Sequence, residues 1–129
     1  MPEIHATLSA SSAHRWMECT AAPSLEATIP AGTAVSEAAL EGTEAHSMAE
    51  AKLRAALEGL PAPEPTDNTE MEECTDAYVA FVLDAAKALS PAEVAIEQMV
   101  DFGHLVPGGF GTADCIVISE DTLHIIDLK

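Results

Sequence analysis

Positive charge is scarce in this sequence: 5 Lys and Arg stand against 22 Asp and Glu, a formal net charge of −17 at pH 7. Arg15, Lys52, Arg54, Lys87 and Lys129 are the whole basic complement, too scattered to form a basic patch. A field of this sign repels polyanions unless metal ions or a basic partner intervene, so simple electrostatic binding of nucleic acid is disfavoured. Aromatic residues are only 4% of the chain, and alanine supplies much of the 48% apolar fraction, so core side chains are small and helices are favoured. No stretch approaches the ~18 apolar residues of a membrane-spanning helix, and the N-terminus has neither a cationic start nor an apolar run. The expected setting is cytoplasmic, without a membrane partner. Cys19, Cys74 and Cys115 are an odd number with no C-x-x-C pair, which indicates neither a disulfide framework nor a zinc knuckle and fits a reducing compartment.

What is present has room for one core. Residues 9–19 (SASSAHRWMEC) open with hydroxyl groups suited to capping and place Trp16 and Met17 on a short helix, which Pro23 and Pro30 are expected to end. Over residues 36–57, Ala45, Met48, Ala49, Leu53, Ala56 and Leu57 recur at spacings of three and four, predicting a helix with one buried stripe. Gly59 suits its stop, and Pro61, Pro63 and Pro65 predict a stiff, extended surface connector. A second helix is predicted over residues 69–89, with Met71, Tyr78, Phe81, Val82, Ala85 and Leu89 inward and Pro91 beyond its end. Three β-branched runs follow, residues 94–100, 110–118 and 122–129, and read as strands of an antiparallel meander. The expected fold class is α+β, helices on a three-stranded antiparallel meander. One domain, 1–129, comprises an N-terminal helix and loop (1–35), two helices joined by a proline-rich linker (36–90) and the meander (91–129). Because a sheet apolar on both faces needs cover on both, the chain is expected to be an incomplete, N-terminal part of something larger.

The final hairpin concentrates the chemistry. If Glu120 and Asp121 form its loop, Ser119 pairs with Thr122 and Asp114 lies opposite Asp127, their Cβ atoms about 4.5–5.5 Å apart. Lys129 then points the same way as Asp127, and Leu128 points away. Two adjacent carboxylates repel unless a cation lies between them, so the arrangement suits a divalent metal with oxygen ligands. The plainer reading is also open: Asp-Leu-Lys as a frayed strand end with solvated charges, and Asp114 as a capped or partly exposed acid early in an edge strand. Glu97, among Ile96, Met99 and Val100, can be read as another ligand, but the long gap before the second strand leaves its register open and it is taken as mainly structural. By themselves His46 reads as an exposed or core-edge helix residue and Glu50 as a solvated neighbour. His5, His14, His104 and His124 stay unassigned.

These residues carry a resemblance. Gly-Thr-Ala-Asp ending at Asp114, followed by Ile-Ile-Asp-Leu-Lys ending at Lys129, resembles the paired motif of the PD-(D/E)XK nuclease superfamily, with Ala113-Asp114 replacing its proline motif. Glu41-Gly-Thr-Glu-Ala-His46 resembles the G-x-x-x-H motif of the RecB-like exonuclease branch. Residues 8–19 resemble the S-x-S-x-x-x-x-W-x-x-C segment of phage and prophage members. Over residues 8–129 the chain is similar to a prophage-encoded family of unknown function placed among the RecB-like exonucleases. The resemblance implies the N-terminal part of a restriction-endonuclease-like core and a metal-dependent DNA nuclease. Mg²⁺ or Mn²⁺ would be held by His46, Asp114, Asp127 and the Leu128 backbone carbonyl, with Asp114, Asp127 and Lys129 catalytic. Cys19 matches the first cysteine of an iron–sulfur cluster in related enzymes, but the clustered later cysteines are absent, so no such cluster is expected. DNA is the implied partner, contacted through a Q-x-x-x-Y helix that in the family follows the D-x-K strand. Phage recombination or replication proteins are further implied partners, and this chain alone is expected to be inactive. The alternatives are a catalytically inert acidic interaction protein or DNA mimic, and an unrelated hydrolase using carboxyl acid–base chemistry without metal.

Overall fold

The computed structural model describes residues 5–30, 32 and 34–129. Residues 1–4, read above for a leader, lie outside the described residues, as do residues 31 and 33. Among the described residues the elements run α1 (Ala13–Glu18), α2 (Ala22–Glu26), α3 (Glu37–Glu58), α4 (Thr69–Ala88), β1 (Glu93–Asp101), β2 (Phe110–Ile118) and β3 (Leu123–Ile126). The class is α+β, with a sheet of order β1-β2-β3. No described helix is long and apolar enough to cross a membrane.

The chain divides into two compact units. One takes the residues up to Ala34 together with Met99–Thr112. In it the Trp16 indole N–H donates to the Ser9 carbonyl at 2.9 Å, and Arg15 pairs with Glu26 at 3.0 Å, joining α1 to α2. Pro23 does not end this segment as expected. It lies in the first turn of α2, where a missing N–H leaves no helix bond unmade. In the loop after β1 the Phe102 ring lies against Gly109, where an added Cβ would come within 2.5 Å of the ring, so this position needs glycine.

The second unit, Val35–Gln98 with Ala113–Lys129, holds the core. Ser36 caps α3 by accepting from the Ala39 amide at 3.1 Å, and Asn68 caps α4 by accepting from the Met71 amide at the same distance. Gly59 ends α3 with φ 68°, the left-handed conformation glycine adopts at low cost. Ala49 and Leu53 of α3 pack with Tyr78 and Val82 of α4 and with Cys115, Val117 and Ile126 of the sheet. Two details of the predicted stripes change. Ala56 and Leu57 are exposed while Lys52 and Ala55 are buried, because Lys52 finds acids on α4 that make a charged stripe position tolerable. Phe81 is 55% exposed, its ring edge-on to His124 of β3 at a centroid distance of 6.0 Å.

The last hairpin has the expected register. Cys115 pairs with Ile126 and Ile118 with Leu123, and the Ser119 amide donates to the Thr122 carbonyl at 2.9 Å. Cross-strand partners share a face, so Cys115, Val117, His124 and Ile126 lie on the helix side and Ile116, Ile118, Leu123 and Ile125 on the other. On that second face β3 is open, Leu123 and Ile125 being 61% and 59% exposed, while Ile116 of β2 is buried. Strand β3 ends at Ile126, earlier than the predicted run to residue 129. The reason is local: the Leu128 amide donates to the Asp114 Oδ2 at 2.8 Å, so a side chain takes the backbone acceptor's role.

Candidate metal centre

Three elements of the second unit deliver the site. His46 stands two turns inside α3, beyond Gly42. Asp114 lies on β2 just before the buried run Cys115, Ile116 and Val117. Asp127 and Lys129 follow β3 immediately. The His46 Nδ1 stands 3.2 Å from the Asp114 Oδ1, while the other Asp114 oxygen is held by the Leu128 amide. The Asp114 side chain is only 14% exposed, so its orientation is set from both sides. Asp127 ion-pairs with Lys129 and stands close enough to the Asp114 carboxyl for the two acids to influence each other's titration.

A further acid, taken as mainly structural from the sequence, stands with His46 and Asp114 in a group that does not take in Asp127. One ligand atom each from His46, Glu97 and Asp114 lies within 4.8 Å of the others. Glu97 has φ 49°, the single non-glycine residue with positive φ among the described residues, so β1 is locally turned at this side chain. The sequence offered it only as an open alternative, because the register of β1 could not be read and the irregular backbone at this residue has no sequence signature here. Glu50 behaves as the solvated reading had it, pairing with Arg54 one turn on at 2.8 Å. His124 meets Phe81 rather than the acids.

The electrostatics follow from this crowding. Burial raises Asp114 above the ordinary carboxylate range, against the Leu128 hydrogen bond and with Asp127 adding to the rise. Burial likewise raises Glu97, helped by the charges of Asp114 and Glu50. For Asp127, burial is the largest single influence and pushes upward, but its hydrogen bonds to Lys129 and Asp114 outweigh it and the net shift is down. Lys129 is raised, first by its hydrogen bond to Asp127, and stays an ammonium at neutral pH. An imidazole nitrogen and several carboxylate oxygens are a donor set for a hard divalent cation, whose ligand atoms stand about 3–4 Å apart when each is near 2.1 Å from the ion. The ligand atoms of His46, Glu97 and Asp114 lie within 4.8 Å of one another, somewhat wider than this spacing.

No solved structure matches the chain. A family model described as a protein of unknown function, DUF2800, matches residues 5–129 and so takes in every residue of this centre, and the chain belongs to that family.

Proposed function

We propose that this chain carries the divalent-metal site of a DNA nuclease of RecB-like exonuclease type, of phage or prophage origin, with PD-(D/E)XK affiliation. The observation that supports this most is the meeting of His46 with Asp114 at 3.2 Å, with Asp127 near the same carboxyl and paired with Lys129. His46, Asp114, Asp127 and the Leu128 carbonyl would hold Mg²⁺ or Mn²⁺. When bound, such an ion lowers the pKa of water and offsets the charge that develops on a phosphodiester. The residues do the rest by position. Leu128 fixes one Asp114 oxygen and thereby aims the other toward His46. Lys129, kept cationic by Asp127, cannot accept a proton at neutral pH; its part is to hold a non-bridging phosphate oxygen.

With a net charge of −17, the chain alone is expected to hold DNA poorly and to cut it little. The test therefore uses bis(p-nitrophenyl) phosphate, a small phosphodiester that needs no basic groove, alongside labelled DNA. Mn²⁺-dependent release of nitrophenolate, lost in Asp114→Asn and Lys129→Ala, is the expected result. Hydrolysis that persists in chelator, or that both variants leave unchanged, overturns the reading. The acidity favours one other reading, an inert interaction protein or DNA mimic; it gains if no hydrolysis occurs and the chain displaces DNA from a basic protein without metal.

A further inference from the structure

The proposed function uses His46, Asp114, Asp127 and Lys129 and leaves Glu97 without a role, although its carboxylate stands inside the same 4.8 Å envelope. Three observations bear on it. Its carboxylate makes no ion pair or hydrogen bond among the described residues, whereas Glu50 has Arg54, Glu72 has Lys52 and Asp127 has Lys129. In the cation-free protein, lost hydration and the charges of Asp114 and Glu50 weigh against its ionised form more than the attraction of His46 and Arg54 favours it. It also needs an uncommon backbone conformation, φ 49°, which costs free energy that a solvated side chain elsewhere on the strand would avoid. The third is the partner it approaches: the imidazole of His46, a nitrogen donor, on a different element from either acid.

We infer that Glu97 is a further protein ligand of this cation site, its carboxylate completing with His46 and Asp114 a triad drawn from β1, α3 and β2. The inference rests on the proposed metal site and extends it. A carboxylate from β1 adds a negative charge to the ion's surroundings and fixes a third direction of approach, so metal affinity depends on it directly. Glu50 provides the internal comparison, because it adds charge near Glu97 without belonging to the triad.

The experiment is Mn²⁺ titration followed by electron paramagnetic resonance, with thermal melting in chelator as a check on folding. Glu97→Gln should weaken Mn²⁺ binding at least about tenfold, and Glu50→Gln should change it only about two- to threefold, the effect of a distant charge. Glu97→Gly, which relaxes the positive φ, should melt no lower than wild type in chelator and lose Mn²⁺ affinity to the same extent. Should Glu97→Gln match Glu50→Gln while His46→Ala and Asp114→Asn abolish binding, Glu97 is background charge and the inference fails with the metal site intact. Undiminished binding in His46→Ala and Asp114→Asn would instead remove the site on which it rests.

Discussion

The two Asp114 oxygens face different partners, the Leu128 amide and the His46 ring, and each can be removed separately. Asp114→Asn keeps an acceptor for Leu128 and should melt within a few degrees of wild type while losing Mn²⁺ binding. Asp114→Ala strands a part-buried amide and should cost about 1–3 kcal/mol in a denaturant titration. The cation-free protein should also report the crowding of acids through pH. Asp114 and Glu97 have pKa values raised by folding, so each contributes stability that is full below its unfolded pKa and is lost as pH rises through its folded value. Asp127 and Glu72 are lowered and act oppositely, losing their contribution only as pH falls below the ordinary carboxylate range. Melting in chelator should therefore show stability declining as pH rises from the ordinary carboxylate value, about 4, toward neutrality, and Glu97→Gln should make the decline smaller. At this scale Asp114, Asp127 and Lys129 were legible from the hairpin spacing and strand alternation, whereas His46 entered only through the family resemblance. Glu97 was visible only as an open alternative, since a single turned residue obeys neither period.

Among the elements, α3 and α4 are joined by a charge that periodicity assigns to the surface. The Lys52 ammonium donates to Glu72 Oε2 at 2.7 Å, to Asp76 Oδ1 at 2.6 Å and to the buried Thr75 hydroxyl at 2.9 Å. Glu72 also accepts from the Thr66 amide at 2.7 Å, so the same acid ties down the end of the proline connector. Removing the cation leaves Thr75 and Glu72 without it in a part-buried place, whereas the share of the 69% exposed Asp76 is small because water screens it. Lys52→Met should cost about 1–3 kcal/mol, less than the about 2–5 kcal/mol of Leu53→Ala in the same turn, both read by denaturant titration. The helices themselves were legible from apolar spacing, the Ser36 cap and Gly59. The inner stripes were legible only in part: a rule that sorts residues by polarity cannot see that Lys52 will meet two acids across the helix pair. The end of β3 was missed for a related reason, a carboxylate bonding where a backbone carbonyl would continue the ladder.

For the whole molecule, acidity and the metal site have to be reconciled, because a chain of net charge −17 has little to hold a phosphate backbone except a bound cation and Lys129. In chelator at low salt, labelled DNA should therefore show no anisotropy change with the wild-type chain, and any affinity gained on adding Mn²⁺ should vanish in Asp114→Asn. The central claim is that these donors form one divalent-cation site, and the most direct measurement is the stoichiometry of Mn²⁺ binding by electron paramagnetic resonance. The account predicts one ion per chain, bound in the wild type and lost in both His46→Ala and Asp114→Asn, with each variant still folded in chelator. Absence of bound Mn²⁺ in the folded wild type, or an ion retained undiminished by both variants, would contradict it.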